Sequence, residues 1–214
     1  MRARITFTKQ GALRYTGHLD LHRLWERAMR RADLPISYTQ GFHPQPKISI
    51  AAALPLGFSS LGEVLDVRLN QELPTEEIAL RLKDNLPPDI RVTKIESVDE
   101  RAPALQTQVL SAAYEVHLTE PVDGSELTRK VEELLKSESL PRERRGKLYD
   151  LRPLIEILEA VKEGDDKVWL KMTLAARDGA TGRPEEVLNA LGIEPEYTRV
   201  ERTGLIFTGN TVRR

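Results

Sequence analysis

MRARITFTKQGALRYTGHLDLHRLWERAMRRADLP, residues 1–35, changes its hydrophobic period once, and that change decides the fold class. Up to Lys9 the pattern alternates, with Ile5 and Phe7 on one face and Arg4, Thr6 and Thr8 on the other, as a half-buried strand requires. After Gln10-Gly11 the period becomes helical. Leu21, Trp25, Ala28 and Ala32 form an apolar stripe widened by Leu24 and Met29, with Arg23, Arg27 and Arg30 on another side. Asp20 suits the free amides of a helix start, and Pro35 lies beyond the stop.

Outward from this strand and helix, residues 36–60 are broken by Gly41, Pro44, Pro46, Pro55 and Gly57, so HPQP is expected to be a stiff surface loop between short strands. EVLDVRLN from Glu63 reads as a strand. TEEIALRLKDNLP reads as a helix with Ile78, Leu82 and Leu86 inward and Thr75 as its cap, and IRVTKIESV as a strand again. A second pass gives SAAYEVHLTE as a strand and SELTRKVEELLKS as a helix with Leu127, Val131, Leu134 and Leu135 inward. The basic run RERRGKLYDLRP then connects to the strands LIEILEAV and KVWLKMTLAA, placed around a turn at Gly164-Asp165-Asp166. GRPEEVLNALG forms a short helix from Pro184 to its stop at Gly192, and TRVERTGLIFT closes as a strand. The expectation is an α+β chain of tandem ferredoxin-like βαββαβ domains with antiparallel sheets, residues 1–100 and 101–214, joined near residues 99–106.

Composition narrows the function. With 214 residues, 40% hydrophobic and 30% charged, the chain is expected to fold, and its 5% aromatic content makes the core lean. No apolar run approaches a membrane span and residues 1–10 hold no signal-like apolar stretch, so a cytoplasmic protein is expected. The absence of cysteine excludes disulfides, thiolate nucleophiles and a thiolate-ligated iron–sulfur cluster in this chain. Phosphate-loop and dinucleotide fingerprints are missing, and GFSS lacks the surroundings of a nucleophile elbow. The net charge of -1 hides an asymmetry: residues 1–60 hold 9 Lys/Arg and 3 Asp/Glu, a formal +6, and residues 61–214 hold 23 and 30, a formal -7. An anionic partner for the N-terminal region follows.

The candidate side chains for that partner fall into groups. Arg14, His18 and Asp20 surround the first turn of the helix; His18 and His22 share a face, but no third metal ligand accompanies them and no metal site is expected. His43 and Lys47 sit on the proline-stiffened loop, beside Tyr38 and Phe42 as stacking faces. Arg27 belongs to the arginine row. Arg152 is expected to pair with Asp150, and Arg183 to bind an anion near a helix start, close to the run Arg142, Arg144, Arg145 and Lys147. His18, His43, Lys47 and Arg27 are expected to converge on one groove. Two chemistries fit: RNA or another anionic substrate bound without catalysis, or a metal-independent ribonuclease with His18 or His43 as base and Lys47 or the arginines stabilising phosphate.

Residues 13–67, LYDLRPLI at 148–155 and GRPEEVLNALG at 182–192 resemble the bacterial radical SAM-linked protein family, a domain of unknown function. His18, Asp20, Gly41, His43, Pro44, Pro46 and Lys47 match its N-terminal motif, and Asp150, Arg152, Arg183 and Pro184 its later ones. In that family the domain is fused behind a cobalamin-binding radical SAM region or encoded beside one, and this chain resembles the separate form. The resemblance implies an accessory, substrate-presenting protein with no cofactor of its own, whose partner holds SAM, an iron–sulfur cluster and cobalamin. Neighbouring genes for ribonuclease E/G and ribosomal proteins associate the family with RNA metabolism. Double ferredoxin-like folds also resemble CRISPR repeat endonucleases, an analogy of fold alone. The CxxxCxxC cluster motif of the fused form is absent here.

Overall fold

The computed structural model describes residues 1–163 and 167–209 and divides into two compact units, Met1–Val109 and Leu110–Arg214. The first runs β1 (Arg2–Lys9), α1 (His18–Arg31), β2 (Ile48–Ile50), β3 (Ser59–Arg68), α2 (Thr75–Lys83) and β4 (Ile90–Val98). Its strands lie in the order β2-β3-β1-β4, and each neighbouring pair is antiparallel. The sequence places the unit's end near residue 100, but residues 101–109 pack with it. Arg2 donates to the carbonyls of Ala102 (2.7 Å) and Pro103 (2.8 Å), and Gln106 Nε2 to that of Ile50 (3.1 Å).

The core of this unit forms where the period-2 face of the sheet meets the 3.6-period stripe of the helices. Ala3, Ile5 and Phe7 of β1 and Leu65 and Val67 of β3 are fully buried, together with Leu21, Trp25, Ala28 and Met29 of α1 and Ile78 and Leu82 of α2. The Phe7 and Trp25 rings meet edge to face at 4.7 Å, and each buried large side chain contributes about 1.5–3 kcal/mol. Thr75 does not cap α2; Pro74 occupies the cap position, where φ of -58° already suits the chain's entry, and Thr75 is the first helical residue.

The other sheet face buries charge. Asp66 of β3 is 4% exposed and lies in register with Arg4 of β1. Its carboxylate accepts from Arg2 Nε (2.9 Å), Arg4 Nε (2.8 Å) and Arg4 Nη2 (3.1 Å). The Ala102 and Pro103 carbonyls take up the remaining donors of Arg2.

The second unit runs β5 (Val109–Leu118), α3 (Gly124–Lys136), β6 (Pro141–Arg144), β7 (Lys147–Asp150), β8 (Ile155–Glu163), β9 (Lys167–Arg177), β10 (Ala180–Thr181), α4 (Pro184–Leu191) and β11 (Thr198–Phe207). Its main strands follow the order β8-β9-β5-β11, so each unit sets its first strand between its third and its last. The α+β class with largely antiparallel pairing holds in both. Pro184 opens α4, and Gly192 ends it at φ +72°, a left-handed position that glycine occupies without strain. The basic run expected to be a connecting loop is instead the hairpin β6–β7. The expected turn at Gly164-Asp165-Asp166 lies outside the described residues. Among the described residues no helix is long and apolar enough to cross a membrane.

Replacing Asp66 by alanine removes the carboxylate to which the buried Arg2 and the half-buried Arg4 both donate. The expected loss is about 3–5 kcal/mol, read as a lower midpoint in urea unfolding followed by circular dichroism.

Candidate anion-binding surfaces

Helix α1 puts its candidate residues on two flanks of its buried stripe. On one, Asp20, Arg23, Leu24, Arg27 and Arg31 line a cleft of about 600 Å³ whose other wall is residues 84–87, after α2. Arg23 Nη1 lies 3.5 Å from the Asp20 carboxylate, and Arg31 Nη2 donates to the Asn85 carbonyl at 2.6 Å. Arg27 is exposed and makes no recorded ion pair or hydrogen bond among the described residues.

His22 points to the opposite flank, where its Nε2 lies 3.2 Å from the Ile48 carbonyl of β2. At 100° per residue, Arg27 is about 140° round the helix from His22. Residues 37–47 form a two-legged arm leading into β2. The Lys47 amide donates to the Ser37 carbonyl (2.8 Å), the Thr39 amide to the Gln45 carbonyl (2.9 Å), and Tyr38 bridges Pro46. Gly41 turns the tip at φ +133°, and Phe42 beside it is wholly solvent-exposed. His43 and Lys47 are also exposed, on the arm. The expected single groove for His18, His43, Lys47 and Arg27 is therefore not formed: Asp20 and Arg27 line the cleft, His43 and Lys47 ride on the arm, and His18 is exposed as the first residue of α1. Arg14 stands on the preceding 3-10 turn with its guanidinium carbon 5.0 Å from the Tyr15 ring centre, and its Nε is shielded from solvent without a hydrogen bond.

The second unit brings the two C-terminal motifs together. A pocket of about 710 Å³ is lined by Arg144, Arg145, Lys147 and Tyr149 of the hairpin, Asp150 at its base, and Arg183 before α4. Arg144 and Lys147 face each other in register, and the two-residue loop between them has positive φ at both Arg145 (+49°) and Gly146 (+75°). That is the backbone of the tight hairpin turn whose twist matches its strands. Asp150 closes the base: Oδ1 accepts from the amides of Leu140 (2.7 Å) and Arg152 (2.9 Å). These two bonds hold its carboxyl below the usual range.

Arg152 does not make the expected bidentate pair with Asp150. Its Nε (3.2 Å) and Nη2 (2.9 Å) donate to the Leu135 carbonyl at the end of α3, and Nη1 to that of Ile155 (3.4 Å), so it joins α3 to β8. Gly182 sets the origin of Arg183, because a Cβ there would sit 3.1 Å from both the Leu154 carbonyl oxygen and Leu174 Cβ. The Tyr149 hydroxyl is shielded from solvent and has no hydrogen-bond partner among the described residues. Burial, then the nearby Glu186, push its pKa up, against a smaller opposing pull from Arg144 and Arg142. The sequence gives Tyr149 no ligand role; its place three residues before the motif arginine, Arg152, is the available signal.

The Asp150 carboxylate is held below its unfolded value, so its stabilisation is complete above the ordinary carboxylate range and is lost as pH falls through the lowered value. Hydrogen exchange of the Leu140 and Arg152 amides is expected to stay slow at neutral pH and, relative to intrinsic rates, to speed up in acid. The Asp150→Ala variant should show the fast behaviour at every pH.

The family model described as "Uncharacterized protein conserved in bacteria (DUF2344)" matches residues 2–184. No curated protein matches the chain in sequence. Among solved structures, a chain from a crystal structure of a Cbf5-Nop10-Gar1 complex aligns over 95% of this chain at 11% identity, with a TM-score of 0.50. This chain spans 48% of that one's length, and likeness at this identity concerns the fold alone. An unknown protein from Galdieria sulphuraria aligns over 96% of this chain and 98% of its own at 13% identity, but its TM-score of 0.28 carries no argument. The family match covers the first unit and the second as far as Pro184, and the chain belongs to the uncharacterized bacterial family DUF2344.

Proposed function

We propose that the chain is an accessory, substrate-presenting protein that binds RNA for a separate radical SAM enzyme. The observation that supports this best is the arm of residues 37–47, which holds a wholly exposed Phe42 next to His43 and Lys47. An aromatic ring on a preordered support offers a stacking face to an unpaired base, and a neighbouring cation meets its phosphate. Cross-leg hydrogen bonds and Pro44 and Pro46 reduce the freedom the arm loses on binding. Arg27 on the opposite flank of α1 gives a second phosphate contact along the same helix. The radical SAM partner rests on the family resemblance of the motifs, with the cluster chemistry assigned to that partner because this chain has no cysteine.

Binding of a fluorescent single-stranded RNA, followed by anisotropy across a salt series, tests the reading. Phe42→Ala should weaken binding by about 10-fold with its salt slope kept, since stacking contributes about 1–3 kcal/mol per base. Lys47→Ala should also lower the slope by about one unit. Unchanged affinity and slope in both variants would remove the arm from the function. In chelator the RNA should remain whole; fragments that disappear with His43→Ala would transfer the assignment to a ribonuclease. Co-purification with the adjacently encoded radical SAM protein tests the partner, and no association with SAM, cobalamin and RNA present would reject it.

A further inference from the structure

We propose that the β6–β7 pocket of the second unit binds a small oligophosphate, of the nucleoside di- or triphosphate class, at a site separate from the RNA surface. Four cationic side chains, Arg144, Arg145, Lys147 and Arg183, reach it from two chain segments. Among the described residues none of the four makes an ion pair, whereas Arg81 of α2 and Arg129, Lys130 and Lys136 of α3 pair with carboxylates one turn away. The carboxylate in the pocket wall, Asp150, has one oxygen occupied by two backbone amides. Arg144 and Lys147 are like charges directly opposite each other on adjacent strands, an arrangement that costs stability unless an anion lies between them. Arg145 occupies a left-handed backbone position that glycine or asparagine fills with less strain. A protein selected only for a stable hairpin has no use for these three choices in succession.

Charge and shape set the ligand class. The lining carries four formal positive charges and the one negative charge of Asp150. A phosphate monoester, at most a dianion, leaves positive charge uncompensated, and a di- or triphosphate does not. Tyr149 lines the pocket, and its hydroxyl, which has no hydrogen-bond partner among the described residues, is a neutral donor at neutral pH, where a phenol keeps its proton. The Tyr149 ring and Leu154 supply an apolar side for a nucleoside, and about 710 Å³ lies within the usual range for a ligand of that size.

Calorimetric titration of the full chain with phosphate, pyrophosphate, tripolyphosphate and ADP is the experiment. Affinity should rise from phosphate through pyrophosphate to tripolyphosphate, with ADP above pyrophosphate. Arg145→Asn, which suits the turn backbone, should weaken tripolyphosphate binding by about 10-fold or more while the thermal midpoint holds or rises. Arg144→Ser with Lys147→Ser should do the same, and Lys136→Ser, at an exposed position of α3, should change nothing. Absence of tripolyphosphate binding at low salt, or equal binding by the hairpin variants, overturns the proposal. Displacement of tripolyphosphate by short RNA that still binds the Phe42→Ala variant would make the pocket part of a nucleic-acid surface and reject the small-ligand assignment. Failure of the RNA reading leaves these titrations unaffected, because the two rest on different residues.

Discussion

One carboxylate shared by two guanidinium groups organises the first unit. A charge moved from water to the back of a sheet costs several kcal/mol, and Asp66 is tolerable there only because Arg2 and Arg4 donate to it. The carbonyls of Ala102 and Pro103 accept the remaining donors of Arg2. The cluster therefore does three things at once. It fixes β1 against β3 in register, draws the segment after β4 onto the sheet, and leaves the opposite face free for α1. The positions of Arg27 and of the arm beside β2 follow from where α1 is seated.

Both candidate surfaces arise at the same point in the chain's plan. In the first unit the arm of residues 37–47 lies between α1 and β2; in the second the hairpin β6–β7 lies between α3 and β8. These are the corresponding connections of two units whose strands share an order. A packed helix and a paired strand at either end let such an insertion project without disturbing the core. The chemistry differs at the two places, an exposed aromatic on one and a concentration of unpaired cations on the other.

Much of this was legible in the residues. Leu21, Trp25, Ala28 and Met29 repeat at a period only a helix satisfies, and Pro184 with Gly192 brackets α4 by backbone preference alone. Asp66 was not legible, because the groups that neutralise it lie 62 and 64 residues away and EVLDV gives no sign that its second face is covered. The hairpin was missed for a local reason: Arg145-Gly146 is not among the pairs that favour a two-residue turn, since arginine pays a steric cost at positive φ. The groove expected around α1 failed on helical arithmetic, because His18 and Arg27, nine residues apart, lie about 180° from each other around the helix. The bidentate pair expected between Arg152 and Asp150 is absent because the guanidinium donates instead to the Leu135 and Ile155 carbonyls.

Gly182 has a bearing on how such a protein can diversify. Its amide is tied to the Ala175 carbonyl at 2.8 Å, and a single methyl at its Cα would meet the backbone of Leu154. The path that delivers Arg183 to the pocket is thus locked into the core, whereas the side chains at the hairpin tip point away from it. A lineage descended from this chain can retune what the pocket accepts by changing residues 144, 145 and 147 one at a time, with little effect on folding. The same lineage can add a side chain at Gly182 only if Leu154 or Leu174 gives way. Innovation is cheap on one wall of the site and requires a repacked neighbour on the other.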